Sequence, residues 1–379
     1  MALILNEEES MLRESAAAFL DEHAGPDLMR QLRDQEDELG YRPQLWQAMA
    51  ELGWTGVLVP DDLGGLGFSH VGMGQIVEQI GRTLAASPLV SSAITATVLV
   101  LGGGSKDQKA QLLPRLAAGE LTMALAVDEG PRHDPRATAL KAEQDGDQVV
   151  LSGTKRFVED GHFADQVIVL ARSSGEAGQS DGLSLYLVDG DVLQRTAVPA
   201  VDSRRWGELQ FDGVRIPGGQ QLGQPGRALE VLEPALDVTR IYQCAELLGL
   251  SRECFDVTLR YLKERQQFGV PIGSFQALQH RAAILWTELE LAQSLVLSGL
   301  KSLDQGDSPE QVSRLASAAK TKLSRVAQLA TNEAIQMHGG IGMTDVLDMG
   351  LYLKRARVLE AQYGDQRYHA SRFARLSGY

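Results

Sequence analysis

The sequence predicts an α+β protein in three consecutive parts. These are an N-terminal α-helical domain over residues 1–120, a middle antiparallel β-domain over 121–224 and a C-terminal four-helix bundle over 225–379. Three observations carry this reading. Apolar residues recur at helical spacing before residue 120, and short β-rich runs broken by Asp-Gly and Ser-Gly turns fill the middle. From about Gly226 the helical period returns in three long series. A chain of 379 residues is long enough to bury two or three separate cores.

The first helix should start after Asn6, a capping residue followed by an acidic first turn, with Met11, Ala18 and Phe19 as its apolar series. Pro43 should open a second, carrying Leu45, Trp46, Met49 and Leu52 and ended by Gly53. Pro60 to Gly67 reads as a glycine-rich turn, without the lysine and hydroxyl of a phosphate loop. A further helix is expected from near Ser105 to Gly119. In the middle part the strands are Gln148–Leu151, Gln166–Leu170 and Leu183–Val188, and the part ends with Leu209 to Pro217. No helical period separates these strands, which argues against a doubly wound parallel sheet. The last part shows stripes at Leu248, Phe255, Leu259 and Leu262, at Leu285, Leu289, Ala292, Val296 and Leu303, and from Val312 through Leu323 to Met337. Three such amphipathic helices imply an antiparallel bundle.

Composition narrows the function. A net charge of −14 disfavours nucleic acid as a partner, because neutralising phosphates needs a basic face. No run approaches the roughly 18 apolar residues of a membrane span, and Ser91, Ser92, Thr95 and Thr97 break the longest candidate. The acidic start, with Glu7 to Glu9, does not read as a signal peptide. Cys244 and Cys254, ten apart on one helix, suit neither a disulfide nor a metal site. No metal is expected, and the cytoplasm is the expected setting.

Two segments then stand out: Arg265-Gln-Gln-Phe-Gly-Val-Pro-Ile-Gly-Ser-Phe-Gln276 with Gln279, and Gln336-Met-His-Gly-Gly-Ile-Gly342. Weaker ones are Pro60 to Gly67, Leu113 to Glu120, Ser152 to Lys155 with Ala164-Asp165, and Phe211 to Pro217. As an ordered set over almost the whole chain, they resemble the acyl-CoA dehydrogenase family. The resemblance implies the same fold, in its three-domain order. It also implies FAD as cofactor, acyl-CoA as substrate and electron-transferring flavoprotein as oxidant. It assigns Arg265, Phe268, Gln276, Gln336, Gly339 and Gly340 to FAD binding, reaching across an interface to a neighbouring subunit. A guanidinium fork suits phosphate oxygens, and glycine lets backbone approach closely. His338 is expected to pack rather than react.

Family members take the α-proton of an acyl-CoA with a glutamate, while the β-hydrogen leaves as hydride. Spacing from Gln336 puts one known glutamate position at Tyr363, followed by Gly364 and Asp365. The other precedes Arg240, where this chain has Thr239. Neither side chain is a ready base near neutrality. Tyr363 can still offer its backbone N–H to the thioester oxygen, and Glu360, Asp237 and Asp365 are the nearby carboxylates. The flavin-ring positions depart too. Val127-Asp-Glu-Gly130 and Phe157-Val-Glu159 stand where the family has threonines, and the turn Pro131-Arg-His-Asp134 is one residue shorter. Asp128 and Glu159 would bring anions to a ring that becomes anionic on reduction, at a cost of about 4 kcal/mol for like charges 4 Å apart in an effective dielectric of 20.

These departures suggest a subunit lacking the base, paired with a second acyl-CoA dehydrogenase subunit, as in heteromeric enzymes of fatty-acid or sterol side-chain catabolism. The alternatives are a homo-oligomeric flavoenzyme of this fold with other redox chemistry, such as a monooxygenase, and a non-catalytic scaffold.

Overall fold

The computed structural model describes residues 4–379; residues 1–3, counted in the expected N-terminal domain, lie outside them. The helices before residue 120 are α1 (Glu7–His23), α2 (Pro26–Asp34), α3 (Pro43–Glu51), α4 (His70–Thr83), α5 (Thr97–Gly103) and α6 (Lys106–Ala117). Asn6 caps α1 in a reciprocal box: its side chain accepts from Glu9 N at 2.8 Å and the Glu9 carboxylate accepts from Asn6 N at 2.8 Å. The buried face of α1 is Ala16 and Leu20 with Glu9, and Met11 is 64% exposed, so the expected apolar stripe is rotated. Ser105 caps α6 in the same way, with Gln108. The apolar run after Pro88 becomes a buried π-helical segment, Leu89–Ala96, leading into α5. No helix among the described residues is long and apolar enough to cross a membrane.

Strands follow: β1 (Met123–Ala126), β2 (Lys141–Asp145), β3 (Gln148–Glu159), β4 (Gln166–Arg172), β5 (Leu183–Asp189), β6 (Gln194–Pro199), β7 (Arg205–Pro217) and β8 (Gln221–Leu222). They form one sheet in the order β6-β7-β3-β2-β4-β5-β8, with β1 beside β4. Most pairs are antiparallel, as expected, but β1 and β2 both pair with β4 in parallel. The sheet buries Leu151, Val167, Val169, Val188, Leu209 and Phe211 in a single cluster.

The last part holds α7 (Leu229–Glu264), a hairpin of β9 (Gln266–Gln267) and β10 (Val270–Pro271), then α8 (Gln276–Asp304), α9 (Pro309–His338), α10 (Met349–Ala361) and α11 (Gln366–Leu376). The three long stripes are α7, α8 and α9; α8, α10 and α11 all pack against α9, so the part has five helices. Cys244 and Cys254 are free and buried in α7.

The described residues gather into two compact units, each assembled from separated stretches. One comprises residues up to 31, 70–85 and 240–379; the other comprises 32–69 and 86–239. Within the first unit, Gly249 lets α4 and α7 touch: a Cβ there would lie 1.8 Å from Glu78 O. The same unit buries an ion pair, Arg355 Nε to Glu246 Oε1 at 2.7 Å, whose single-sided loss would cost about 3–5 kcal/mol.

Candidate functional site

The expected cofactor residues of the first unit lie at one end of its helices. Arg265 directly follows α7, Gln276 begins α8, and Gln336 is near the end of α9. Two contacts bring these ends together. The Tyr261 ring lies 4.4 Å from that of His338, and Arg281 on α8 pairs with Glu333 on α9, Nη2 to Oε1 at 3.0 Å. His338 is buried with Nδ1 2.7 Å from Ala334 O, a packing role.

Between α7 and α8 the β9–β10 hairpin turns through Phe268 and Gly269, with φ of +56° and +81°. Two consecutive positive φ values are what a two-residue hairpin turn demands, and Asn or Gly is the usual first residue. Phe268 occupies that position at 92% exposure, with its ring edge-on to Phe275 at 6.1 Å. A bulky aromatic held in left-handed backbone and turned to solvent costs conformational energy, and the edge contact with Phe275 is the one ring contact it makes among the described residues.

Around the hairpin, Arg265, Gln276 and Gln336 are exposed, and among the described residues their side chains make no hydrogen bond or ion pair. Gln279 Nε2 donates to Gly273 O at 2.9 Å. Gly339 has φ +66°, which calls for glycine in any case; Gly340 has no such need, and a Cβ on it would meet nothing within 4 Å. One unspent guanidinium, two unspent carboxamides and an open glycine backbone fit the diphosphate and adenosine end of a flavin dinucleotide.

Tyr363 is the second focus of this unit. It is buried, with φ +55°, and Gly364 follows at φ +110°. The Tyr363 carbonyl accepts from Arg240 Nε at 3.0 Å and lies 3.1 Å from His369 Nε2. Arg240 is wholly buried, with its guanidinium 5.8 Å from the Tyr368 ring centre. Burial, with Arg240 and Lys320 beside it, pushes His369 far below the usual imidazole range, so it is neutral and donates through Nε2. Lys320 on α9, wholly buried, donates to Gln362 O at 2.9 Å, to Leu359 O and to Gln243 Oε1 at 2.8 Å. The N–H of Gly364 is buried, and among the described residues it finds no acceptor. Buried backbone donors without partners are rare.

The carboxylates near these positions are occupied. Asp365 caps α11, accepting from Tyr368 N at 2.8 Å, and Glu360 pairs with Arg357 at 3.1 Å. Asp237 and Thr239 belong to the other unit. Asp237 is 1% exposed. Thr239 is fully buried, donating to Ala235 O at 2.9 Å with Thr95 Oγ1 at 3.0 Å.

The sheet of that unit carries the flavin-ring positions. The β3–β7 register slips between Lys155 and Val158, and this bulge turns Phe157 outward, 55% exposed at φ +55°. Asp128 is not a lone anion: His133 Nδ1 lies 3.0 Å from both of its oxygens, and the His133 side chain is 2% exposed. Glu129 accepts from Ala139 N, Leu140 N and Lys155 Nζ, the last at 2.7 Å, and Lys155 also donates to Val127 O. Glu159 ends β3, half-buried.

Sequence reasoning passed over three groups here. Lys320 interrupts the buried series Ala316, Ala319 and Leu323, and a lysine inside an apolar stripe was a readable sign. His133 was named in its shortened turn, but its pairing with Asp128 was not. His369 left no signal in the sequence.

Three family models match the chain: the acyl-CoA dehydrogenase N-terminal domain over residues 6–120, its middle domain over 124–214 and its C-terminal domain over 226–377. The mitochondrial short/branched chain specific acyl-CoA dehydrogenase of Bos taurus is 28% identical over 359 residues, 93% of this chain and 81% of that protein. The mitochondrial isovaleryl-CoA dehydrogenase of Solanum tuberosum is 29% identical over 377 residues, 96% of this chain and 89% of that protein. Among solved structures, a variant of the steroid ACAD Tcur3481-Tcur3483 superposes with a TM-score of 0.87 at 27% identity, covering 98% of both chains.

Proposed function

Because the chain belongs to the acyl-CoA dehydrogenase family, FAD-dependent oxidoreductases acting on CH–CH bonds, we propose that it serves as the subunit without the catalytic base in a hetero-oligomeric acyl-CoA dehydrogenase. The observation that carries this is the pair Tyr363 and Thr239 at the two positions where relatives place a glutamate. Thr239 has its hydroxyl committed to Ala235 O, and a phenol is a poor base at neutral pH.

FAD, when bound, supplies the acceptor for the two electrons taken from the acyl chain. Arg265 and the amides of Gln276 and Gln336 would hold the diphosphate and adenosine of a FAD belonging to the partner subunit, with Phe268 and the Gly339-Gly340 backbone completing that surface. In this chain the Tyr363–Gly364 turn is a structural element, its Tyr363 carbonyl held by buried Arg240 and by His369. The partner supplies the glutamate and the flavin-ring pocket. Short or branched acyl chains and steroids are the substrate classes suggested by the relatives' names. Electron-transferring flavoprotein is the proposed oxidant.

Co-expression with a glutamate-bearing relative tests this. The expected result is a mixed assembly with one FAD per pair of unlike chains, which reduces ferrocenium with acyl-CoA, while the lone chain is inactive. A homomer of this chain holding one FAD per subunit and turning over acyl-CoA would overturn it, and Asp237, Glu360 and Asp365 would then be the bases to substitute.

A further inference from the structure

Within the first unit, α1, α4, α7 and α8 surround an open cavity of about 370 Å³. Gly249 lies in its wall, where α7 rests on the α4 backbone at Glu78. Two arginines of the wall are spent. Arg82 donates to Gln79 Oε1 at 2.7 Å and to Asp21 Oδ1 at 2.5 Å. Arg252 donates to Glu290 Oε1 at 3.0 Å and to Gln293 Oε1. A guanidinium only donates, so each glutamine turns its oxygen to the arginine and its NH2 the other way. Neither NH2 finds an acceptor among the described residues, although Gln79 is only 7% exposed.

Two charged side chains facing the same cavity are unspent. Arg13 on α1 makes no hydrogen bond or ion pair among the described residues, and neither does the largely buried carboxylate of Glu78 on α4. Burial raises the Glu78 carboxyl, and Arg252 and Arg13 oppose that shift from beyond ion-pair distance. A carboxylate and a guanidinium that share a cavity without pairing leave a gap that a group carrying both charges closes. A second, smaller cavity adjoins the first at Arg13 and Gln293, and it adds the apolar side chains of Ile4, Leu5 and Leu297.

We propose that this cavity binds a small zwitterion, an α-amino acid with an aliphatic side chain. Its carboxylate meets the Arg13 guanidinium and the NH2 groups of Gln79 and Gln293. Its ammonium meets Glu78, with exposed Asp256 at the rim, and its side chain lies against Leu5 and Leu297. The site shares no residue with the Arg265 and Tyr363 positions and stands independently of the acyl-CoA reading.

The test is isothermal titration calorimetry of the full chain with L-leucine, and with isocaproate and isoamylamine, which keep its side chain and one charge each. The expected result is saturable binding of leucine, about tenfold or more tighter than of either half. Arg13→Met and Glu78→Gln should each weaken leucine by about tenfold or more, as loss of one charge-assisted hydrogen bond does. Glu78→Gln should leave isocaproate unaffected, and Arg13→Met should leave isoamylamine unaffected. No leucine binding at millimolar concentration, or an affinity that both substitutions leave unchanged, overturns the proposal and leaves a cavity that holds water only. Isocaproate binding as tightly as leucine overturns the ammonium contact and the zwitterion with it. Neither residue has a partner within the chain to lose, so both variants should fold, which thermal denaturation checks. Should either fail to fold, the comparison of leucine with its two halves on the wild type decides.

Discussion

The imidazole Nδ1 of His133 lies 3.0 Å from both carboxylate oxygens of Asp128, five residues back across a shortened turn. The two departures from the family pattern that the sequence showed, Asp128 and the His133 turn, are thus joined to each other within this chain.

That pairing predicts what removing one half does. His133→Ala leaves the Asp128 carboxylate without its donor, so the native state should lose about 1–3 kcal/mol. Asp128→Thr in the same background should recover part of this, because the carboxylate left without its donor is then gone. Denaturant unfolding reads both variants, and equal stability of His133→Ala and the wild type would show that the pair does not hold the turn.

Arg265 carries an unspent guanidinium at the bundle end. Arg265→Ala should weaken FAD retention in the assembled complex by roughly 1.5–3 kcal/mol, about 10- to 150-fold, the worth of a charge-assisted hydrogen bond. Arg265→Lys should recover only part of this, because an ammonium lacks the fork. Dialysis against apo-complex with flavin fluorescence measures it.

Tyr363→Glu returns a carboxylate to a position whose backbone is already held by Arg240 and His369. With FAD and glutamate in the partner, the lone Tyr363→Glu variant should still show no acyl-CoA-dependent bleaching of flavin absorbance. A gain of roughly 10²–10⁴, the worth of a placed general base, would show instead that this chain's own turn faces substrate.

Stability should rise with pH above 8. Burial brings Lys155 and Lys320 down to about 8. Between pH 8 and the unfolded value near 10.5 the unfolded chain therefore binds more protons than the native one, and raising pH favours the native state. Cys244, held up at about 12 by burial, and Cys254, pushed up likewise, act oppositely from about pH 8.5, where only the unfolded thiols ionise. Denaturation should show a gain on the order of 1 kcal/mol from pH 8 to 9, then a plateau. Lys155→Met should remove most of the net gain.

The order of helices, strands and helices was legible in the chain because hydrophobic period is a local property. Asn6, Pro43 and Ser105 opened helices where their capping chemistry said they would. The face of α1 was less legible: Met11 and Ala16 both fit an apolar stripe, and which of them is buried depends on the partner helix. The parallel pairing of β1 with β4 was hidden too, since a strand's composition does not encode its direction.

For the site, the sequence determined which residue types stand at which positions: Arg265, Gln276 and Gln336 at the bundle end, and no carboxylate at Tyr363 or Thr239. Only the tertiary structure decided what those positions do. Phe157, Phe268 and Tyr363 share left-handed backbone, a conformation that the identity of an aromatic residue argues against and that surrounding contacts must impose. Lys320 reaches residues 39 and 42 positions away, and Arg240 one 123 away, distances in sequence that no local pattern spans. Their charges could be read from the chain; their burial, and hence their force on the Tyr363 turn, arises only when α7, α9 and the end of α10 close around them.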